Sequence, residues 1–325
     1  MTGRLSVVLA AVMAAGMVWA AAPPAAADPT RYISTKRTGP TTSEIVVHSA
    51  AMNRDIPLQI IAPRDRSRPA PVLYLLNGAG GGEDNANWQA KTDVVKFFAD
   101  KQAYVVTPMK GAFSYYTDWI KPDPKLGVNK WSTFLGRELP PVINSLYNTN
   151  GRNAIAGIST SATSVLNLAI AHPGLYRAVG SYSGCASTTT PNGTFYVQLV
   201  VEVRGEGDTR NMWGRVGSAG WRANDPVINA AKLRGLSLYI SSATGLPGEF
   251  DNLRVVPDPA ELANRVVVGG AIEAATRQCT DQLAARLRQL RIPATFDLPG
   301  GGSHSWPYWQ QQLHRSWPQL YRAIR

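Results

Sequence analysis

Short apolar runs alternate with longer segments of helical spacing along this chain. Runs rich in β-branched and other apolar residues predict strands at 43–49, 57–63, 71–78, 103–108, 153–157, 178–184, 236–242 and 294–300. Several runs are apolar at nearly every position, which is typical of strands buried on both faces of a parallel sheet. The first two runs are instead expected to form an opening antiparallel pair.

The segments between the runs have apolar residues near every third and fourth position. They predict helices at 131–147, at 161–171, within 259–290 and at 309–324. Strands that alternate with helices predict an α/β fold, with a mostly parallel, doubly wound sheet and helices on both faces. The stretch 192–229 is rich in Gly, Trp and Arg, and we expect it to be an irregular insertion over the sheet.

The first residues have the pattern of a targeting segment. Arg4 precedes an apolar run over 7–22, and PPAAAD follows with small residues before a cleavage point after Ala27. The run is shorter than the roughly 20 residues of a membrane-spanning helix. An uncleaved anchor is the alternative, but Pro23 and Pro24 argue against it. We expect a signal peptide over 1–27 and one exported catalytic domain over 28–325, without stable membrane insertion.

The chain is basic, with 33 Lys and Arg against 22 Asp and Glu and a net charge of +11. This balance suits an anionic cell envelope as neighbour. The basic residues are scattered and no nucleic-acid reader motif is present, so nucleic acid is not an expected partner. No GxGxxG or P-loop pattern occurs and two cysteines cannot form a zinc site, so no cofactor or metal is predicted.

The stretch NAIAGISTSATSVLNLAIAH, from Asn153, contains a candidate nucleophile. Ser159 falls between the predicted strand 153–157 and the predicted helix 161–171, within G-I-S-T-S. In the nucleophile-elbow pattern G-x-S-x-G, small neighbours let a sharp turn project the serine. Ser161 replaces the second glycine here, and a serine before a helix is often only an N-cap. The local pattern leaves both roles open.

A serine nucleophile needs a base, and the chain has four histidines. His48 in a strand, His172 at a helix end and His314 in the last helix have ordinary structural explanations. His304 lies in GGGSHSWPYW after the last predicted strand. An α/β hydrolase carries its catalytic histidine in this place, in the chain order serine, acid, histidine.

The acid and the oxyanion hole are less determined by the sequence. The acid should lie between the strand 236–242 and His304. Chain order does not choose among Glu249, Asp251, Asp258, Glu261 and Glu273. An oxyanion hole needs two backbone N–H donors, and Thr160, after the candidate nucleophile, offers one. The Gly-rich loop 77–88 offers the second, which we expect at Ala79.

Several motifs together resemble the antigen 85 family of secreted mycolyltransferases over essentially all of 28–325. They are YLLNGAGG, FSYYTDW, KWSTFLGRELPPVI, GISTSA, MWG, WRANDP and GSHSWPYWQQQL. The resemblance implies Ser159 as nucleophile and His304 as base. It selects Glu273 as the acid, from VVVGGAIEAATRQCTDQL, and implies Ala79 and Thr160 as oxyanion-hole donors.

The resemblance also implies a sugar-binding cleft lined by Ser305 and Trp306. Asn77 and Gly80 stand at two further positions that face the trehalose site, where the family usually has Asp and Arg. The implied reaction moves a mycoloyl group from trehalose monomycolate to a second trehalose monomycolate or to cell-wall arabinogalactan. The two departures make the sugar acceptor the open part of this expectation.

Three alternatives remain open at this point. A secreted carboxylesterase would have the same triad without an acceptor site, and acylation of envelope proteins would use a different hydroxyl. Some family members lack the nucleophile and are non-catalytic binding proteins, but this chain keeps Ser, Glu and His. We also predict that Cys185 and Cys279 form a disulfide that tethers the Glu273 segment, with two buried free thiols as the alternative.

Overall fold

The computed structural model describes residues 28–325, so the predicted signal peptide over 1–27 lies outside the described residues. A mixed sheet runs through the molecule. Its strands are β1 Arg31–Arg37, β2 Thr42–Ser49, β3 Arg54–Ile61, β4 Ala70–Leu76, β5 Tyr104–Pro108, β6 Thr149–Ile158, β7 Tyr176–Tyr182, β8 Ser237–Ser241 and β9 Thr295–Asp297.

The strands lie in the order β1-β2-β3-β5-β4-β6-β7-β8-β9. The β1, β2 and β3 strands pair antiparallel with their neighbours, and from β5 to β9 the pairs are parallel. The predicted opening antiparallel pair is therefore confirmed as β2 and β3. This order is that of the α/β-hydrolase fold, as predicted, with β1 added at the antiparallel edge.

Helices connect the strands. They are α1 Trp88–Lys91, α2 Val94–Phe98, α3 Trp131–Thr133, α4 Leu139–Leu146, α5 Thr160–Ala171, α6 Pro191–Gln198, α7 Thr209–Met212, α8 Ala219–Ala223, α9 Pro259–Asn264, α10 Gly270–Gln289 and α11 Trp306–Ile324. Three π-helical turns, Phe134–Glu138, Leu199–Arg204 and Arg265–Gly269, continue α3, α6 and α9, and a 3₁₀ turn covers Ala230–Leu233. The predicted helix 131–147 is thus α3, its π turn and α4.

The central strands of the sheet are buried on both faces, which explains their continuous apolar runs. Along β4, Tyr74 packs in one layer, which contains residues of α5 and α10. Its neighbour Leu73 packs in the opposite layer, where Phe98 of α2 and Leu313 of α11 lie. Alternate side chains point to opposite faces of a strand, so a strand between two helical layers is apolar at every position.

The first strand was missed by the sequence analysis. All seven residues of RYISTKR in β1 are exposed. The strand forms because its backbone pairs with β2, from Arg31 opposite His48 to Arg37 opposite Ser43. An edge strand that buries no side chain leaves no hydrophobic pattern in the sequence.

The expectation of an irregular insertion at 192–229 was wrong. This stretch is largely helical, with most of α6, the π turn Leu199–Arg204, α7 and α8. Its apolar side chains form a small cluster of their own with two residues of an earlier loop: Tyr115, Trp119, Val197, Val201, Met212, Trp213 and Trp221. The helices are too short for periodicity to be detected. Within residues 28–325, no helix combines the length and apolarity needed to cross a bilayer.

Candidate active site

Ser159 lies on a sharp turn between β6 and α5. Its backbone has φ 56° and ψ −123°, in the left-handed half of the map that residues other than glycine rarely adopt. A Cβ on Gly157 would lie 2.5 Å from Oγ and 2.9 Å from the carbonyl oxygen of Ser161. Only glycine therefore fits at 157, and the turn has the strained geometry of a nucleophile elbow.

Ser161 stands where the elbow pattern has its second glycine, and its side chain is fully buried. Its hydroxyl accepts a hydrogen bond from the Ile158 N–H at 2.9 Å and lies 2.9 Å from the Ile158 carbonyl oxygen. The Cβ is accommodated, and the hydroxyl ties both sides of the turn together. Ser161, at the position where the pattern has glycine, thus stabilises the turn through hydrogen bonds of its side chain.

The structure brings Ser159, His304 and Glu273 into one hydrogen-bonded chain. Nε2 of His304 lies 2.9 Å from Oγ of Ser159, and Nδ1 of His304 lies 2.8 Å from Oε2 of Glu273. These distances fit an imidazole that donates from Nδ1 to the carboxylate and accepts at Nε2 from the hydroxyl. The arrangement is that of a nucleophile, a base and an orienting acid.

The Glu273 carboxylate is almost completely buried, with a relative accessibility of 1%. Its second oxygen, Oε1, accepts hydrogen bonds from the Ala243 N–H at 2.7 Å, from the Ser183 hydroxyl at 2.9 Å and from the Ser242 hydroxyl at 3.1 Å. A buried carboxylate is costly unless its lone pairs are satisfied. These donors stabilise it and fix its orientation toward His304. Sequence reasoning missed Ser183 and Ser242, since isolated serines at strand ends carry no recognisable signal.

The other candidate acids have different partners. Asp258 caps α9 at the Ala260 N–H, Glu261 pairs with Arg265, and Glu249 is exposed. Among these five carboxylates, only Glu273 contacts His304. Within residues 28–325, no group of three or more His, Cys, Asp or Glu side chains could hold a metal ion.

Asp251 is buried and holds the loop that carries His304. It accepts hydrogen bonds from the Ser303 hydroxyl at 2.6 Å, from the Ser303 N–H at 3.2 Å and from the Tyr308 hydroxyl at 2.8 Å. Burial, together with the hydrogen bond to Asp251, raises the pKa of Tyr308 well above its usual value, so this phenol remains a donor. The His304 ring also packs edge-on against Trp309, with centroids 4.9 Å apart.

The two predicted oxyanion-hole amides are free of protein acceptors. Within residues 28–325, neither the Ala79 nor the Thr160 N–H donates to a protein atom. The loop after β4 lies against the elbow, because a Cβ built on Gly78 would be 3.7 Å from Cβ of Ser159. The Ala79 carbonyl accepts from the Phe113 N–H at 2.7 Å, which holds this part of the loop in place.

The predicted substrate-binding residues lie in different environments. Asn77 is completely buried; its amide donates to the Pro108 carbonyl at 3.2 Å and accepts from the Trp88 N–H at 3.3 Å. It therefore braces the loop and has no surface for a ligand. At Gly80, a Cβ would come within 2.5 Å of the Asp84 carboxylate. Ser305 directly precedes α11 and Trp306 is its first residue, and both line an open groove.

Two depressions meet at His304. The groove has a volume of about 290 Å³ and is lined by Glu261, Asn264, Arg265, Val268, Gly269, Ile272, His304, Ser305, Trp306 and Trp309. A narrower pocket of about 50 Å³ contains Ser159 and is lined mainly by apolar groups, among them Tyr115, Tyr196, Val200 and Ile272. His304 and Ile272 line both. The groove, which has both polar and apolar lining, and the apolar pocket thus meet at the imidazole.

Cys185 and Cys279 form the predicted disulfide, with Cα atoms 4.8 Å apart and a separation of 94 positions in sequence. Cys185 follows β7 and lines the apolar pocket, and Cys279 lies in α10, the helix of Glu273. The covalent bond therefore connects the pocket wall to the helix that carries Glu273.

The sheet order and the elbow define this protein as an α/β hydrolase. Residues 49–320 match the family of putative esterases. The chain is 30% identical to the diacylglycerol acyltransferase/mycolyltransferase Ag85A of Mycobacterium tuberculosis strain H37Rv, over 86% of this chain and 80% of that protein. It belongs to the antigen 85 family, as its motifs indicated.

Solved structures agree with this assignment. The crystal structure of Mycobacterium tuberculosis MPT51 (FbpC1) superposes with a TM-score of 0.70 and 26% identity, covering 92% of this chain and 100% of MPT51. An S-formylglutathione hydrolase from Agrobacterium tumefaciens superposes with a TM-score of 0.66 at 15% identity, covering 91% of this chain and 100% of that one. The second likeness concerns the fold alone.

Proposed function

We propose that this protein is a secreted, serine-dependent mycolyltransferase. It moves a long acyl group from trehalose monomycolate to a sugar hydroxyl, either of a second trehalose monomycolate or of cell-wall arabinogalactan. The observation that carries the proposal is the hydrogen-bonded chain Ser159–His304–Glu273 at the junction of an open groove of mixed polarity and an apolar pocket. The mycolyltransferase names of the relatives support the choice of substrate class.

In the first half-reaction, Oγ of Ser159 attacks the ester carbonyl of the donor while Nε2 of His304 takes the hydroxyl proton. Glu273 orients the imidazole and stabilises its charged form. The N–H groups of Ala79 and Thr160 bind the oxyanion, and one such donor contributes about 3 to 4 kcal/mol. His304 then returns the proton to the leaving trehalose, and the acyl group remains on Ser159.

In the second half-reaction, an acceptor hydroxyl binds where trehalose left. His304 takes its proton, the acceptor oxygen attacks the acyl carbonyl, and the same N–H groups bind the second oxyanion. Collapse of this intermediate releases the acylated sugar and returns the proton to Ser159. Transfer exceeds hydrolysis only when a bound sugar hydroxyl reaches the acyl-enzyme more often than water does.

The two depressions suit the two parts of the donor. The pocket beside Ser159 encloses the ester end of an acyl chain, and the remainder would run over the α6 segment, where Phe195 is 58% exposed. The groove presents Trp306 together with charged and amide side chains, a mixture that is typical of sugar sites. In this proposal Asn77 supports the loop of Ala79 and does not contact sugar.

Export through the predicted signal peptide would deliver the enzyme to the cell envelope, where its excess of Lys and Arg suits anionic neighbours. A secreted carboxylesterase is the main rival. One specific observation favours it: neither Asn77, which is buried, nor Gly80 offers a charged side chain to a sugar. The rival predicts that water discharges the acyl-enzyme as fast as sugar does.

The test is mass spectrometry of the purified protein after exposure to p-nitrophenyl butyrate, followed by trehalose. The wild type should form a covalent butyryl adduct that trehalose discharges faster than buffer does. Ser159→Ala should form none, whereas Ser145→Ala, a change on the exposed face of α4, should behave as the wild type. Discharge at equal rates with and without trehalose would identify an esterase, and no adduct on the wild type would exclude the serine mechanism.

A further inference from the structure

The groove beside His304 contains a guanidinium whose hydrogen-bonding capacity is only partly used by the described residues. Arg265 lines this groove, and its side chain is 17% exposed. Within residues 28–325, Nη1 of Arg265 is buried and has no acceptor, while Nη2 lies 3.3 Å from Oε1 of Glu261. A buried donor without a partner is costly, and because Arg265 lines the groove, a ligand bound there can supply the acceptor.

The backbone holds Arg265 in a fixed relation to the catalytic histidine. Arg265 begins the π-helical turn Arg265–Gly269, and the carbonyl of Gly269 accepts a hydrogen bond from the His304 N–H at 3.1 Å. π-helical turns within α-helices frequently occur at functional sites. Trp306, on the other side of the groove, is held edge-on between Trp88 and Trp309, with centroid distances of 5.5 Å and 5.2 Å.

We infer that Arg265, Glu261 and Trp306 form a binding subsite for the sugar that leaves or enters during acyl transfer. The planar guanidinium donates to two neighbouring hydroxyl oxygens, and the Glu261 carboxylate accepts from a third hydroxyl. Trp306 offers a rigid aromatic surface to the apolar face of the sugar ring. This inference rests on the proposed function and specifies which residues bind its acceptor.

The charges of the subsite select the class of ligand. Arg265 and Glu261 carry opposite charges and form an ion pair, so together they favour a neutral polyol over an anionic sugar. The loop after β4, residues 77–87, contains no arginine, and Gly80 in this loop lies beside Asp84. Arg265 supplies from α9 and its π turn the guanidinium that the loop after β4 lacks.

Arg277 provides a matched control on the same run of helix. It pairs with Asp281 at i,i+4, as Arg265 pairs with Glu261, and its Nη1 is likewise buried without an acceptor, but it does not line the groove. Arg265→Gln should leave butyryl-enzyme formation from p-nitrophenyl butyrate within about twofold of the wild type and lower trehalose-dependent discharge at least about tenfold, mainly through KM. Arg277→Gln should change neither step.

Unchanged discharge in Arg265→Gln would overturn the inference. An equal loss in both steps would also overturn it, because that result means that Arg265 only supports the His304 loop. Arg265→Lys should not restore discharge fully, since an ammonium lacks the planar fork.

A direct binding measurement separates this inference from the proposed function. Trehalose binding to Ser159→Ala, measured by calorimetry, needs no acyl chemistry, and adding Arg265→Gln should weaken it about tenfold. This difference would support the subsite even if the wild type formed no acyl-enzyme. Equal binding by the two variants, or tighter binding of glucuronate than of trehalose to Ser159→Ala, would overturn it.

Discussion

Cys185 and Cys279 are disulfide-bonded, and this bond joins the segment after β7 to the helix that carries Glu273. Glu273 is also held from the strand side, because Ser183, Ser242 and the Ala243 N–H all donate to it. Glu273 therefore has two independent supports, one covalent and one formed by hydrogen bonds. Their loss should have different consequences.

Removal of the disulfide should lower stability more than activity. The double variant Cys185→Ala/Cys279→Ala should lose about 2 to 5 kcal/mol of unfolding free energy, because the bond closes a long loop in the unfolded chain. Urea denaturation measures this loss. Acyl-enzyme formation at 25 °C should stay within about threefold of the wild type, since the hydrogen bonds to Glu273 remain. Full stability in the double variant would show that the bond constrains nothing.

Removal of the hydrogen bonds around Glu273 should instead lower activity more than stability. Glu273→Gln should lower the rate of acyl-enzyme formation about 10³- to 10⁴-fold, because the imidazole loses its charged partner and its tautomer. Ser242→Ala should lower that rate about tenfold through a less firmly oriented carboxylate. If Ser242 acts through Glu273, the two changes together should be no worse than Glu273→Gln alone. Additive losses in stopped-flow acylation would contradict this role.

The outcome at the elbow shows what a motif can and cannot predict. G-I-S-T-S and the flanking periodicity were sufficient to predict the strand, the helix and the turn at Ser159. They could not show that the hydroxyl of Ser161 braces the turn, because that contact depends on backbone geometry. Similarly, five carboxylates fitted the chain order, and the resemblance selected Glu273, the one that contacts His304.

The parts that the sequence missed are those stabilised only by tertiary contacts. β1 buries none of its side chains and depends on pairing with β2. The helices of the insertion are short and pack around Trp213 and Trp221, which are far from Tyr115 and Trp119 in sequence. Arg265 was one of many scattered basic residues until the fold brought it beside His304 and Trp306.

Restoring the glycine of the elbow pattern should be harmful in this chain. Ser161→Gly should lower the unfolding free energy by about 1 to 2 kcal/mol, through loss of the hydroxyl contacts and greater freedom of the unfolded chain. Ser161→Ala, which keeps Cβ, should lose the hydroxyl part only. Thermal unfolding of both variants measures the difference. A more stable Ser161→Gly would mean that the Cβ strains the turn.

His172 should make stability depend on pH. Its ring packs over Gly136, where a Cβ would lie 2.2 Å from it, and burial, aided by the nearby Arg137 charge, lowers its pKa below the usual value. His172 therefore takes up a proton near pH 6.5 in the unfolded chain but only at a lower pH in the folded chain. The stability that this difference contributes is fully present above that pH and is lost as the pH falls below it. As the pH falls from 7.5 to 5, the Tm of the wild type should thus decrease more than the Tm of His172→Gln. A constant difference would show that His172 does not titrate differently on folding.

The apolar pocket should control which acyl chains form the acyl-enzyme. Val200 lines it beside Ser159, so Val200→Phe should fill space that the first carbons of the chain occupy and slow octanoyl transfer more than acetyl transfer. Val203 lies in the same π-helical turn but is 70% exposed and outside the pocket, which makes Val203→Phe a matched control. The ratio of kcat/KM for p-nitrophenyl octanoate to that for p-nitrophenyl acetate should fall about tenfold in Val200→Phe, equivalent to about 1.4 kcal/mol, and remain unchanged in Val203→Phe. An equal ratio in all three proteins would mean that the acyl chain extends from Ser159 by another route, because a larger side chain in the pocket that the acyl chain occupies would slow the longer substrate more than the shorter one.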